Sequence, residues 1–284
     1  MGKKVLFWVL AVMISLSIMI YQRMTGPTYE KDYKITYQGE THQFALPRSH
    51  GGETDCPVEI SLPEAFTGQI LFRRFPTEES WDTLNLKRSG SNLVTALPNQ
   101  PPAGKLEYHL ELQTNGEKIH LGDTENIVIR FKGSVPGWAQ IPHVLLMILT
   151  VIWSTSIIFF ALANSPVYKK YIGITIILLL LGGFIFGPIV QYYAFGQFWT
   201  GWPFGQDLTD NKVLVALVAF LVAWFLRHKP YGRWLAISAS LVMLAVYLIP
   251  HSLRGSELDP DTGEIITGTI LLFLVNFKLI KSKN

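Results

Sequence analysis

Residues able to do chemistry gather in two short segments of this chain. The first, Gly196 to Lys212, sets Trp199, Trp202 and Phe204 among glycines and Pro203, then presents Asp207, Asp210 and Asn211. The second, Pro250 to Glu264, packs His251, Arg254, Glu257, Asp259, Asp261 and Glu264 closely together. Imidazole with carboxylates suits zinc, iron or another divalent cation, whereas carboxylates and carbonyls alone suit calcium. Asp207, Asp210, His251 and Glu257 are therefore the candidate metal ligands. His143 and His251 are the candidate pair for a b-type haem held between facing helices, with the neighbouring aromatics supporting a quinone pocket. Each group also has an ordinary role. The aromatics fit an interfacial belt, Thr209 or Asp210 can cap a helix, and either histidine alone can be a polar cap. Asp259-Pro-Asp-Thr-Gly263 opens like a calcium loop, but its third carboxylate is missing and its glycine comes early, so it reads as a turn.

Such groups act together only if the surrounding elements bring them to one depth. The charged fraction is 16%, against roughly 25% in soluble domains, and the deficit lies in residues 1–21 and 141–280. Spanning a bilayer takes roughly 20 mostly apolar residues in a helix. Six runs come near this: Val5 to Tyr21, Ile141 to Ala163, Ile172 to Phe195, Val213 to Leu226, Trp234 to Pro250 and Ile265 to Ile280. The fourth and sixth are short and call for snorkelling by Lys212 and Lys278. The first reads as an uncleaved anchor, since no small-residue cleavage site follows it. Lys3, Lys4, Lys169, Lys170, Arg227, Lys229, Arg233, Lys278, Lys281 and Lys283 then fall on one side, which the positive-inside rule makes the cytoplasm. The opposite side receives residues 22–140 and both chemistry-bearing segments. His143, Gln191, Tyr192, Asp207, Asp210, His251 and Glu257 all reach that outer boundary, where ionisable groups are costly unless paired, solvated or ion-bound.

Between the first two runs the pattern changes to short alternating segments punctuated by Pro, Gly and Asn, as in Leu106-Glu-Tyr-His-Leu-Glu-Leu112. Asn115-Gly116 between two such segments signals a tight hairpin that would flank His109 and His120. Trp81 is the candidate core aromatic. Cys56 is the single cysteine, so no disulfide can form within the chain, and it is expected to be buried. The stretch Pro102-Ala-Gly-Lys-Leu-Glu-Tyr108 resembles the approach to the tyrosine-corner strand of fibronectin type III and immunoglobulin-like domains. Gly255-Ser-Glu-Leu258 followed by Gly263 is similar to a Gly-Gly-Glu-Leu element of small bacterial inner-membrane proteins suspected of haem binding. The fold class expected is a six-helix transmembrane bundle with an inserted all-β immunoglobulin-like sandwich. Its parts are an anchor at 1–22, an extracytoplasmic sandwich at 23–138 and a five-helix domain at 139–284.

The midplanes of the spans carry no charged residue, which argues against a proton-driven transporter or voltage sensor. There is no phosphate-binding glycine loop, nucleophile elbow or His-Glu-x-x-His motif. The net charge of +3 gives no reason to invoke nucleic acid. The expected function is a non-enzymatic accessory or scaffold subunit of a bacterial inner-membrane complex. Its partners would be lipid and proteins of the membrane or periplasm, and both termini would be cytoplasmic. The alternative is a redox or metal-binding subunit working at the outer face; a sensor or transporter is a third reading.

Overall fold

The computed structural model describes residues 2–122, 126–251 and 255–267, with residues 266 and 267 described by backbone alone. They divide into a helical unit, built from residues 2–27 and 135–255, and a β unit, Thr28–Ser134 with Ser256–Ile266.

In the helical unit α1 is Gly2–Met24 and α2 is Gly137–Leu162. Helix α3, Val167–Leu179, runs through a π-helical segment, Leu180–Phe186, into α4, Gly187–Phe195. Helix α5 is Leu208–Phe225 and α6 is Gly232–Leu248. Four continuous helices are long and apolar enough to cross a membrane: Gly2–Met24, Gly137–Leu162, Val167–Phe195 and Leu208–Phe225; Gly232–Leu248 is shorter. The π segment follows from its residues. Pro188 has no N–H to offer the carbonyl of Phe184, so the helix widens rather than break. Gly182 and Gly183 let two neighbours approach: a Cβ on Gly182 would stand 2.9 Å from Leu146 Cβ of α2, and one on Gly183 2.7 Å from a methyl of Val213 of α5. Aromatic contacts fix which ends meet. Phe7 and Trp8 of α1 pack on Phe160 of α2, and Trp8 also meets Trp153 and Tyr171.

In the β unit, β1 (Lys31–Tyr37) and β2 (Glu40–Leu46) form a hairpin. The main sheet runs β3 (Ser49–Gly51), β11 (Ile127–Lys132), β9 (Lys105–Thr114), β5 (Thr67–Arg74), β6 (Asp82–Asn85), with β10 (Glu117–Leu121) also on β9. A second sheet is β4 (Cys56–Ser61), β8 (Asn92–Leu97), β7 (Lys87–Ser89). Strict alternation buries Cys56, Val58 and Ile60 on β4, and these join Leu93, Leu97, Ile70, Leu110 and Phe131 in one core shared by both sheets. Asn115 and Gly116, at φ 46 and 84, make the tight turn between β9 and β10, as this dipeptide favours. The Cys56 thiol is buried and its pKa is pushed up to about 11 by desolvation.

The expected fold class needs correction. Among the described residues there are five continuous helices and not a six-helix bundle. The sixth apolar run, Ile265 to Ile280, opens as strand β13 (Ile265–Thr267), which pairs with β12 (Ser256–Leu258); its remainder lies outside the described residues. A run beginning with β-branched Ile-Ile-Thr serves a strand as readily as a helix. Nor is the β part a self-contained immunoglobulin-like insert, because β12 and β13 come from beyond α6 and belong to the β unit. The Leu258 N–H donates to Ala103 O at 3.2 Å, Lys105 pairs with Glu257, and the Arg130 guanidinium donates to Ser256 O. The tyrosine-corner resemblance fails in detail as well: the Tyr108 hydroxyl donates to Pro47 O, 2.8 Å away but 61 residues upstream. Trp81 lies outside the core, with the Arg73 guanidinium 4.6 Å over its ring and His109 packed edge-on. His109 and His120 do not face each other. His120 lies opposite Glu111, and His109 opposite Leu71.

Candidate functional site

The best-built polar cluster lies where residues 196–207 enter α5. Helix α4 ends at Gly196 in the left-handed conformation (φ 76) that glycine adopts without strain. The chain then doubles back so that Thr200 and Gly201 lie against the first turn of α5. Asp207 is the N-cap, its carboxylate accepting from Thr209 N at 2.7 Å, which satisfies one of the donors every helix start leaves open. Asp210, one turn in, accepts from Thr200 N at 2.7 Å and Thr200 Oγ1 at 3.1 Å; Gln191 of α4 donates to the same hydroxyl at 2.5 Å. Asn211 Oδ1 accepts from Trp202 N at 2.7 Å. Gly201 is required by the closeness of this approach, since a Cβ there would stand 2.6 Å from Asp210 Cβ. Both carboxylates are buried, Asp210 with 8% exposure, and both sit where the positive end of the α5 dipole favours an anion.

The cluster holds rigid a loop whose tip is apolar. Trp199 stacks on Phe184 at 5.3 Å and donates its indole N–H to Trp202 O; Phe198 stacks on Tyr192 at 4.3 Å. Beyond these anchors Trp202 and Phe204 project with 68% and 83% of their surface exposed.

Beside it Lys212 does not snorkel outward as the sequence suggests; it is 6% exposed. Its ammonium donates to Ile249 O at 3.0 Å and Pro250 O at 3.2 Å, the open carbonyls at the end of α6, and Gln22 of α1 donates to Ile249 O at 3.1 Å. A cation in the first turn opposes its own helix dipole, but α5 and α6 run antiparallel, so Lys212 meets the negative end of α6. Lys212, Gln22, Thr209, Tyr247 and His251 share a cavity of about 20 Å³ with mainly apolar side chains such as Met147 and Val213. That volume admits roughly one water molecule.

His143 of α2 points at the π segment, where its Nδ1 donates to Gly182 O at 2.9 Å. The same carbonyl accepts the backbone N–H of Gly187, so His143 is its second donor, and the bond leaves Nε2 as the imidazole lone pair. His251 lines the cavity beside Lys212, and His143 is not among the residues that line it.

Of the residues read from sequence as ligands, Asp207 and Asp210 are brought together, while Glu257 lies in the β unit on Lys105. Among the described residues no group of three or more His, Cys, Asp or Glu side chains is arranged to hold a metal ion. The Asp259 carboxylate accepts from Asp261 N and Thr262 N, which makes 259–263 a turn. Sequence reasoning missed Thr200 as the hub of the cluster and Lys212 as the tie to α6. The second had a signal, because a lysine opening an apolar helix is misplaced for that helix and must serve a neighbour. No protein-family model matches this chain, and no curated protein matches its sequence.

Proposed function

We propose that the protein is an accessory or scaffold subunit of a bacterial inner-membrane complex, with its β unit and the residues 196–207 loop on the extracytoplasmic side. The observation that carries this reading is the stapled loop. Asp207, Asp210 and Asn211 bind its backbone, and the loop holds Trp202 and Phe204 exposed at its tip. Rigid exposed aromatics lose little entropy on docking and supply most of the binding energy of protein interfaces. The basic loops at the other end of the helices, Lys169 and Lys170 and Arg227 to Arg233, support a cytoplasmic location for that end and for the N-terminus.

The test is the native size of the chain solubilised from its own membranes, wild type against Trp202→Ala/Phe204→Ala. Wild type migrates as a complex well above the 32.1 kDa of the chain, and the double variant inserts normally but falls to a smaller species. Wild type migrating as a solitary chain overturns the proposal.

His143 supports a second reading. A ring nitrogen bonded to a backbone carbonyl, with the other nitrogen left as a lone pair, is the arrangement that metal-ligating histidines use. Absorption spectroscopy and elemental content of the purified protein test it: a Soret band or stoichiometric metal, lost in His143→Ala, supports redox work, and neither being present removes it.

A further inference from the structure

The end of the helical unit opposite the stapled loop is strongly electropositive. The α2–α3 connection lies beside the start of α6, because the Arg233 guanidinium donates to Asn164 Oδ1. The α3 start lies beside the end of α5, because a Cβ on Gly173 would stand 2.7 Å from the Trp224 ring. The α1 start joins them through Trp8 on Tyr171. This end therefore collects Lys169 and Lys170 from α3, Arg227 and Lys229 from the α5–α6 turn, Arg233 from α6, and Lys3 with Lys4 from α1. The positive dipole ends of α1, α3 and α6 lie there as well, set against the negative ends of α2 and α5. Asp207 and Asp210 are the only carboxylate side chains in residues 2–27 and 135–251, and both lie at the far end of α5. The described residues of the helical unit thus supply this end with no carboxylate.

Two of the cations are held at a defined depth. The Arg227 guanidinium lies 3.6 Å over the Trp224 ring and donates to Trp224 O, and that of Arg233 lies 4.9 Å over the Trp234 ring. Tryptophan settles at the boundary between headgroups and hydrocarbon, so both forks stand at the level of lipid phosphates. A planar guanidinium matches a phosphate in two-point fashion that a lysine cannot reproduce. His228, Lys229 and Tyr231 remain exposed in the turn between them. That turn is tight, because a Cβ on Gly232 would stand 2.6 Å from Leu226 O.

We infer that this face, centred on Arg227 and Arg233, binds the phosphodiester headgroups of anionic glycerophospholipids in preference to zwitterionic ones. Each cation near an anionic surface favours association by on the order of fivefold, so the face selects anionic lipid by a wide margin in low salt. The attraction collapses as salt shortens the screening length to about 3 Å near 1 M.

The experiment places the full-length chain in bilayer discs of phosphatidylcholine mixed with phosphatidylglycerol at about one part in four, an anionic surface of the kind basic clusters recognise. Lipid that remains bound after transfer to detergent is counted by native mass spectrometry. Wild type retains phosphatidylglycerol above its bulk share, and a high-salt wash removes the excess. Arg227→Gln/Arg233→Gln loses most of the excess, and Arg227→Lys/Arg233→Lys keeps part of it. Lys87→Gln, an exposed residue of the β unit, retains lipid as wild type does. Retention at the bulk ratio by wild type, or an excess that survives both high salt and the double Gln variant, overturns the inference. If the double Gln variant does not fold, the wild-type salt response decides.

Discussion

Replacing Asp210 by alanine separates a structural staple from an ion site more sharply than any other single change. The wild-type carboxylate accepts two hydrogen bonds from Thr200 and is 8% exposed. Hydrogen bonds to a charged group contribute about 1.5–3 kcal/mol each. The carboxylate also bears a desolvation cost that disappears with it, so the two bonds do not add in full. The variant leaves the Thr200 N–H buried and unpaired, at about 1–3 kcal/mol, and a net loss of about 3 kcal/mol follows. Asp210→Asn keeps an acceptor oxygen for Thr200 N and surrenders charge and dipole interaction, so its loss is about 1 kcal/mol. The assay is thermal unfolding of the purified chain in detergent, with limited proteolysis of residues 196–207 alongside. The expected order of thermal midpoint is wild type, Asp210→Asn, Asp210→Ala, with the loop becoming cleavable in the last. A chelator leaves the wild-type midpoint unchanged. An Asp210→Ala protein as stable and protease-resistant as wild type, or a wild type that loses the loop's resistance on chelation, refutes the reasoning.

Three further outcomes follow from the same physics. Lys212→Met keeps the buried stem but leaves the Ile249 and Pro250 carbonyls without their cation; a loss of about 1–2 kcal/mol follows, read as faster hydrogen exchange at the end of α6. Glu257→Gln leaves the half-buried Lys105 without its counter-charge. Its cost falls between the exposed and fully buried limits for ion pairs, about 2 kcal/mol, and is read from the unfolding midpoint of the full chain. The Cys56 thiol, held at about 11 against an ordinary 9.0, contributes stability that is fully present below pH 9 and is lost as pH rises through 11. Maleimide at pH 8 accordingly leaves the native thiol unmodified and labels it on unfolding; rapid native labelling contradicts its burial.

The four long helices were legible because runs of apolar residues are a local property, and so were Asn115-Gly116 as a hairpin turn and a helix start near Asp207. What escaped the sequence depends on contacts between distant residues. Glu257 was grouped with Asp207 and Asp210 because it follows α6, yet its partner is Lys105, 152 residues away. The Leu258–Ala103 backbone bond that returns β12 to the β unit has no local signature. Ile265 illustrates the ambiguity of short apolar runs, since its β-branched neighbours suit either element until a pairing strand decides. His143 was visible as an imidazole near the start of α2, but nothing local in the sequence says that it takes the Gly182 carbonyl, 39 residues on.

The central claim, that the stapled loop presents its aromatics to a protein partner, is tested most directly by a photo-crosslinking residue placed at Phe204 in native membranes. A single discrete adduct heavier than the 32.1 kDa chain, abolished by Trp202→Ala and absent when the probe replaces the exposed Val218 of α5, is the predicted result. A probe at Phe204 that yields only lipid adducts contradicts the account.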